Sequence, residues 1–323
     1  MTTPHRLNRL LEPIRAEMKR VEELLQAGVA RLEPPLCAML EHVLAGGKRL
    51  RPAFVTLTGK LFSRDTSPFV HLGTAVEMLH TATLIHDDIV DQSALRRGRR
   101  TLHTVWPVRE AVLAGDHLLA QAAALVAALR RPAVLEVFAE ALCAICAGQI
   151  RQTFAEEGRR RNREEYLRSI EAKTASLIIG ALEMGGLLAD ASADQIAALR
   201  DFGHGFGLAF QIADDVLDLS GDEVALGKPP GSDLRQGVIT LPTLCHLERG
   251  EDEDVCAVLA GRTDTDAVDA AIAAIRASGA IDAALAEGRL HAREGQRALG
   301  GLPDNAFRRI LHCLADYVVG RDG

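Results

Sequence analysis

The sequence predicts an all-α protein built as a single domain over residues 1–323. Apolar residues recur at spacings of three and four, which is the period of an amphipathic helix. Alanine, leucine, glutamate and arginine are abundant, aromatic residues make up only 4% of the chain, and runs of β-branched residues are few. This composition favours helix over strand. No stretch is long or polar enough to link two domains, so one helical domain is the prediction.

The helical period can be followed along almost the whole chain, with short breaks between successive segments. The segments with this period are 6–30, 35–45, 50–62, 70–92, 108–129, 133–157, 164–188, 194–219 and most of 236–321. Glycine and proline mark several of the breaks, because they end or redirect helices. Examples are Gly46-Gly47, Ser67-Pro68, Arg131-Pro132 and the longer stretch from Gly221 to Gly237.

Charge and composition exclude several classes of function. The formal net charge is −7, whereas nucleic-acid binding relies on a large basic surface, so no nucleic-acid partner is predicted. No uninterrupted apolar run approaches the ~20 residues that span a bilayer, so stable membrane insertion is not predicted either. A lipid product could still bring the protein to a membrane surface.

The N-terminus and the cysteines indicate a cytoplasmic protein. The first residues, MTTPHRLNRLLEPIRAEM, do not place an apolar stretch behind a basic start, as a secretory signal would. The six cysteines are scattered, without the density of a disulfide framework, which fits a reducing compartment. Cys143 and Cys146 form a CxxC in an apolar helical run, and we interpret them as core residues rather than a metal or redox site.

Two copies of a DDxxD pattern lie in apolar helical segments. The first consists of Asp87, Asp88 and Asp91, and the second of Asp214, Asp215 and Asp218. On a helix the first and last carboxylates of each motif share a face, and their repulsion is unfavourable unless a cation lies between them. One motif alone could be a solvated acidic helix end, but two apolar-flanked copies are hard to attribute to surface charge. Facing each other, they could supply oxygen ligands to several Mg²⁺ ions completed by substrate phosphate, which indicates a diphosphate substrate.

Basic residues cluster beside these carboxylates despite the negative net charge. Lys48 and Arg51 lie one turn apart after a glycine pair, and Arg96 and Arg97 follow the first acidic motif. Arginine forks suit phosphate oxygens, so these four residues are candidate diphosphate ligands. The arginines at 99–100 are interpreted as a solvated face.

With these motifs in view, the chain resembles the trans-isoprenyl diphosphate synthases over nearly its whole length. The matching segments are GGKRLRP (46–52), HTATLIHDDIVD (80–91) followed by RRG (96–98), GQIRQ (148–152), KTASL (173–177), FQIADDVLD (210–218) and LGKPPGSDLRQGVITLP (226–242). The resemblance implies an isoprenoid-synthase helical bundle around a deep central cavity, with the acidic motifs facing across it. It also implies a homodimer.

The resemblance further implies roles for individual residues. Several Mg²⁺ ions on the allylic diphosphate would be held by Asp87, Asp88, Asp91 and Asp214, with Asp215 and Asp218 as further members of the set. The same diphosphate would be bound by Arg96, Lys173 and Lys228. Isopentenyl diphosphate would be bound by Lys48, Arg51, His80 and Arg97. Lys173, Thr174 and Gln211 would lie at the reacting centre, where the allylic carbocation alkylates the double bond of isopentenyl diphosphate.

Product length should be controlled along the helix that leads to Asp87, because a chain anchored there by its diphosphate grows away from the carboxylates. Ala82 and Thr83, one turn back, are small, with Met78 and Leu79 another turn down. Short-chain relatives carry a bulky residue near these positions. Since one helical turn of ~5.4 Å is comparable to one extended isoprene unit, we predict a medium-to-long product of roughly six to ten units. Phe138 is a candidate floor, although ordinary core packing is the alternative.

Other functions remain open at this stage. The chain could be a short-chain farnesyl or geranylgeranyl diphosphate synthase, the catalytic subunit of a heteromeric synthase, a terpene cyclase or a helical scaffold. The second DDxxD and GGKRLRP weigh against a cyclase, which has no site for a second diphosphate. Activity of the purified chain alone would separate a homomeric enzyme from a heteromeric subunit.

Overall fold

The structure is a computed structural model that describes residues 3–96, 98–155, 162–221, 230–250 and 252–320. Its first half contains helices α1 Thr3–Leu11, α2 Arg15–Val29, α3 Leu36–Leu44, α4 Leu50–Phe62, α5 Ser67–Val90, α6 Val108–Ala128 and α7 Pro132–Ala155. Its second half contains α8 Arg163–Ile170, α9 Ser176–Leu188, α10 Ala193–Ser220, α11 Ser232–Arg235, α12 Leu241–Leu247, α13 Glu253–Leu259, α14 Thr265–Ala277, α15 Ala280–Ala298 and α16 Ala306–Val319. Short 3₁₀ turns are Glu12–Ile14, Leu102–Thr104 and Leu299–Gly301.

The prediction of an all-α protein is confirmed. Within the described ranges, the only strands are β1 Leu95–Arg96 and β2 Arg99–Arg100, which form a small antiparallel hairpin. The prediction missed this hairpin, and it also missed a π-helical turn, Glu171–Ala175, inside the segment predicted as one helix over 164–188. The last predicted helical stretch, most of 236–321, consists of several helices.

The chain divides into two compact units, and each is assembled from three stretches. The first consists of Met1–Leu142, Leu177–Arg200 and Gly301–Cys313. Within it, α5 packs against α2, α4 and α6. Most of α5 is apolar around its whole circumference, which is the pattern of a buried helix, and residues such as Leu72 and Leu79 are fully buried. The single domain over 1–323 stays a prediction.

The second unit consists of Cys143–Ser176, Asp201–Gly300 and Leu314–Gly323. Its core is formed by apolar residues of α8, α10 and α12 to α15, among them Tyr166, Ile212 and Ile275. The start of α8 is fixed by a capping box, because the Asn162 side chain accepts from the Glu165 N–H and the Glu165 carboxylate accepts from the Asn162 N–H. This cap holds the helix that carries Tyr166.

Two helices are apolar but poorly covered by the rest of the chain. By length and composition alone, Val108–Ala128 and Pro132–Arg151 could each cross a membrane, yet only 33% and 28% of these windows are buried. The interpretation of the CxxC as core is wrong, because Cys143 and Cys146 are both exposed on α7. The apolar pattern of α7 misled the prediction, since this helix does not bury that face within the chain.

Candidate active site

The first acidic motif lies at the C-terminal end of α5. Asp87 is half-buried, Asp91 is exposed and Asp88 is 6% exposed. The helix dipole places partial negative charge at this end, so three carboxylates there repel both it and each other. Asp88 is already compensated, because Nε and Nη2 of Arg96 both lie 2.7 Å from its Oδ1. The accessible face therefore carries Asp87 and Asp91, four residues apart.

Arg96 is carried by the β-hairpin that follows the motif. The strands pair with Leu95 opposite Arg100 and Arg96 opposite Arg99, and Gly98 takes a φ of +73° at the turn. This short hairpin folds back so that the Arg96 side chain reaches Asp88. The 99–100 arginines are exposed, as the sequence predicts. Arg97 lies outside the described residues.

The turn between α3 and α4 carries Lys48 and leads into the first turn of α4, where Arg51 contacts a residue of α5. Gly46 and Gly47 have φ values of +82° and +106°, a backbone conformation that glycine adopts readily. Nη1 of Arg51 lies 3.0 Å from Nε2 of His80. Lys48 is exposed on the same turn. Of the sequence-predicted group of Lys48, Arg51 and His80, the structure brings Arg51 and His80 into contact, and Lys48 precedes Arg51 by three residues.

Arg49, the last residue of this turn and the N-cap of α4, was not predicted as a functional residue. It adopts a left-handed conformation with φ +48°, which costs about 1–2 kcal/mol for a residue with a side chain. Its side chain is only 10% exposed and contacts the carboxylates of Glu22 and Glu77. Burial alone would lower the pKa of Arg49, but these carboxylates outweigh burial and raise it. The signal in the sequence was Glu77, an acidic residue within the otherwise apolar pattern of α5, whereas Glu22 lies among other charged residues of α2 and gave no signal.

The second acidic motif lies near the C-terminal end of α10. Asp214 is half-buried, whereas Asp215 and Asp218 are each 4% exposed. The Tyr166 hydroxyl donates to Oδ2 of Asp215 at 2.7 Å, and the Gln211 amide donates to Oδ1 at 2.7 Å. Both oxygens of this carboxyl are therefore held by side chains of the second unit.

Burial has a strong effect on the Asp215 carboxyl. Desolvation raises the pKa of Asp215 to about 8, and the neighbouring Asp233 carboxylate adds to the increase. The hydrogen bonds from Tyr166 and Gln211 act in the opposite direction and lower the pKa. The hydrogen bonds thus hold the Asp215 carboxyl in one orientation. Its ionisation costs free energy unless a cation lies nearby.

Asp218 is also engaged by its own unit. The Ser232 hydroxyl donates to its Oδ1 at 2.8 Å, and the Asp233 N–H donates to its Oδ2 at 3.1 Å. These contacts join the end of α10 to the start of α11. Of the three carboxylates in this motif, Asp214 is the most accessible. Lys228, which the resemblance assigns to the allylic diphosphate, lies outside the described residues.

Lys173 and Thr174 lie in the π turn Glu171–Ala175, between α8 and α9. Such turns occur often at functional sites, because the wider turn re-aims side chains. The Thr174 hydroxyl donates to Oε1 of Gln211 at 2.7 Å. With the Gln211 amide donating to Asp215, a continuous hydrogen-bonded chain links the predicted reacting centre to the second acidic motif.

Two glycines allow neighbouring helices to approach this π turn closely. A Cβ atom at Gly207 of α10 would lie 2.6 Å from Cα of Ala175, closer than real Cβ contacts allow. A Cβ atom at Gly148 of α7 would lie 2.9 Å from Cβ of Ala172. The absence of side chains at these positions therefore lets the π turn pack closely against α7 and against α10, which carries Gln211.

The residues predicted to control product length differ in burial. Met78, Leu79 and Ala82 are 6%, 0% and 2% exposed, so they belong to the core of the first unit. Thr83 is half-buried and is the most accessible of the four on α5. Phe138 on α7 is 3% exposed, which fits either a floor or ordinary core packing.

The donor set suits a hard divalent cation, with help from the substrate. Among the residues that the structure describes, no group of three or more histidine, cysteine, aspartate or glutamate side chains comes close enough to hold an ion. Mg²⁺ often takes one or two carboxylates and completes its octahedron with water and phosphate oxygens. Asp87, Asp91 and Asp214 are the accessible carboxylates of the two motifs, whereas Asp88, Asp215 and Asp218 are buried and already hydrogen-bonded.

Comparison with known proteins identifies relatives that align with almost the whole chain. Residues 33–275 match the sequence model of the polyprenyl synthetase family. The heptaprenyl diphosphate synthase component 2 of Geobacillus stearothermophilus is 38% identical over 307 residues, covering 95% of this chain and 96% of that protein. The nonaprenyl diphosphate synthase of Mycobacterium tuberculosis is 38% identical over 315 residues, covering 96% and 94%. A polyprenyl synthase from Caulobacter crescentus, crystallised with calcium and isoprenyl diphosphate, has a TM-score of 0.92 at 36% identity and covers 98% of both chains.

Proposed function

The chain belongs to the polyprenyl synthetase family and is a prenyltransferase, and from this premise we propose that it makes a linear all-trans polyprenyl diphosphate of medium to long chain. Isopentenyl diphosphate is added head to tail to an allylic diphosphate, and several Mg²⁺ ions are needed. The observation that carries the proposal is the pair of acidic motifs, in which accessible carboxylates stand beside buried, hydrogen-bonded ones.

The allylic diphosphate binds at the acidic motifs. Asp87 and Asp91 of the first motif, and Asp214 of the second, would hold the magnesium, which would neutralise charge on the leaving diphosphate. Arg96 and Lys173 add cations that need no reorganisation as negative charge accumulates on that group. Asp88 keeps Arg96 directed towards this end of α5 through their ion pair. The roles of Arg97 and Lys228 rest on the resemblance alone.

Isopentenyl diphosphate binds beside the turn between α3 and α4, where Lys48, Arg51 and His80 provide its ligands. Arg51 and His80 are within 3.0 Å of each other and can contact neighbouring phosphate oxygens. Thr174 and Gln211 lie at the reacting centre, where their oxygens stabilise the allylic carbocation. Its alkylation of the double bond forms the new C–C bond, and a proton is then lost to the released diphosphate.

The test of this proposal is incubation of the purified chain with Mg²⁺, isopentenyl diphosphate and each of the dimethylallyl, geranyl, farnesyl and geranylgeranyl diphosphates. Chromatography of the products should show a ladder that ends in a long linear polyprenyl diphosphate. Products that stop at three or four units would keep the enzyme class and overturn the chain length. No elongation by folded protein would favour a heteromeric subunit or a cyclase.

The hydrogen-bonded chain behind the second motif yields a testable prediction. Tyr166→Phe removes one of the two donors to the buried Asp215 carboxyl, so kcat should fall about tenfold, the equivalent of ~1.4 kcal/mol. Steady-state assays at saturating substrates measure this effect. The other tyrosine, Tyr317, is equally buried, and Tyr317→Phe is the matched control that should leave kcat nearly unchanged. Equal effects of both substitutions would contradict the role of Tyr166.

We also propose that a second copy of this chain covers α6 and α7. These helices are apolar, but only about a third of each apolar stretch is buried, and Leu113 and Leu135 are 55% and 39% exposed. A different subunit is the second candidate, because one relative carries the name component 2.

The exposed thiols of Cys143, Cys146 and Cys313 suit a reducing compartment, and we place the enzyme in the cytoplasm.

Disruption of this surface should change the oligomeric state. Leu113→Glu places a charge on the exposed apolar face of α6, so light scattering after gel filtration should show that the dimer has dissociated to monomer. Leu290→Glu, at a comparably exposed leucine on α15, is the control and should remain dimeric. A wild-type monomer that gains activity only with a separate subunit would instead support the heteromeric candidate.

A further inference from the structure

Arg49 lies between two of the proposed ligands of isopentenyl diphosphate, but its side chain is bound elsewhere. Its Nε lies 2.5 Å from Oε1 of Glu22 on α2, and its Nη1 lies 2.7 Å from Oε1 of Glu77 on α5. Its Nη2 donates to the Leu44 carbonyl at the end of α3, at 2.5 Å. One guanidinium therefore ties the turn to three helices.

We propose that Arg49 is a positioning residue that fixes the turn, so that Lys48 and Arg51 present their cations together to isopentenyl diphosphate. This inference rests on the proposed function of that turn. Arg49 directly follows Lys48 in the chain, and Arg51 stands two residues beyond it. Any movement of the Arg49 backbone therefore moves both cations.

The local backbone explains why the turn needs such an anchor. Gly46 and Gly47 have positive φ values and no side chains, so they restrict the conformation little. Arg49 itself adopts a left-handed conformation that non-glycine residues avoid. Contacts elsewhere must hold the backbone in this state, and the buried fork to Glu22 and Glu77 provides them.

This role requires an arginine rather than a lysine. Its rigid planar fork donates in several fixed directions, whereas a lysine ammonium is a point charge on a flexible stem. Here Nε and Nη2 both bind Glu22, at 2.5 and 3.3 Å, while Nη1 binds Glu77 on another helix. A lysine at this position keeps the charge but cannot reproduce this set of contacts. The conservative substitution therefore separates charge from geometry.

The test compares Arg49→Gln, Arg49→Lys and Glu22→Gln with wild type. In each, KM is measured for isopentenyl diphosphate at saturating allylic diphosphate, and for the allylic diphosphate at saturating isopentenyl diphosphate. The KM for isopentenyl diphosphate should rise about tenfold or more in Arg49→Gln and less in the other two, because a displacement of ~1 Å is enough to impair binding. The KM for the allylic diphosphate should stay within about twofold of wild type.

Lys60→Gln is the matched control. It also breaks a buried ion pair between α4 and α2, because Lys60 Nζ lies 2.5 Å from Glu17 Oε1, but it lies near the far end of α4 from the turn. It should lower the thermal midpoint without changing either KM.

The two KM values and the thermal midpoint together separate a positioning role from a purely structural one. Equal rises in both KM values, or a lower thermal midpoint with neither KM changed, would overturn the positioning role. If Arg49→Gln does not fold, Arg49→Lys and Glu22→Gln still test the positioning role. In both, the KM for isopentenyl diphosphate should rise more than the KM for the allylic diphosphate. If the wild type does not elongate any allylic diphosphate, the proposed function itself is rejected. That result differs from any result that would reject only the positioning role of Arg49.

Discussion

Asp87→Asn is expected to lower kcat by about 10²–10³-fold, and Asp214→Asn by a similar factor. Each substitution removes one of the accessible carboxylates of the acidic motifs while keeping the size of the side chain. The leaving diphosphate then loses part of the charge neutralisation that makes C–O cleavage possible. Steady-state assays over a range of Mg²⁺ concentrations measure the loss and show whether excess metal restores any of it.

Asp116→Asn is the matched control for this charge change. Asp116 lies on α6 with its Oδ1 3.6 Å from Nε2 of His86, the residue before Asp87, and its side chain is 58% exposed. It belongs to neither acidic motif, so its substitution should leave kcat within about twofold of wild type. Asp87→Asn with more than a tenth of the wild-type kcat would contradict the assignment of this carboxylate to the metal.

Thr83→Phe is expected to shorten the product to about three or four isoprene units, because a bulky ring one turn before Asp87 blocks growth away from the diphosphate. Thr83 is the candidate with an accessible side chain, so a ring there can extend into open space rather than into the core. Chromatography of the reaction products gives the length distribution. The kcat for the first condensation should change little, since the carboxylates are untouched.

Two further phenylalanine substitutions test the geometry of this prediction. Val90→Phe, beyond Asp87 on a side chain 54% exposed, should leave product length unchanged. Ala82→Phe is different, because Ala82 is 2% exposed and the extra atoms would overpack the core, at a cost of about 1–3 kcal/mol of stability. Full-length product from folded Thr83→Phe would show that the chain grows along another path.

The helices were largely predictable, because their apolar period is strong and local. The segment predicted over 50–62 coincides with Leu50–Phe62, and 108–129 differs from Val108–Ala128 by one residue. The hairpin at Leu95–Arg100 was not predictable from periodicity, since two-residue strands are too short to show any. The π turn was missed for a related reason: a single wider turn interrupts the helical period without an accompanying glycine or proline.

The chemistry of the candidate site was predictable by residue type, but its burial was not. Which aspartate of each motif stays accessible depends on partners far along the chain, such as Tyr166, which is 49 residues from Asp215. Arg49 was missed because its two carboxylate partners lie 27 and 28 residues away, on opposite sides in the sequence. Cys143 and Cys146 were misassigned because an apolar helical pattern does not say whether the same chain or a partner covers it.

The π turn also sets the helical phase of the residues on either side of it. On an uninterrupted α-helix, Tyr166 and Thr174 are eight residues apart and would point about 80° away from each other. A turn closed by i→i+5 bonding rotates less per residue, which brings the two side chains closer to one direction. Both then reach α10, where their partners Asp215 and Gln211 are one turn apart. A regular α-helix of the same length over Glu171–Ala175 would instead point Thr174 away from Gln211, so the backbone geometry of this segment matters as much as its composition.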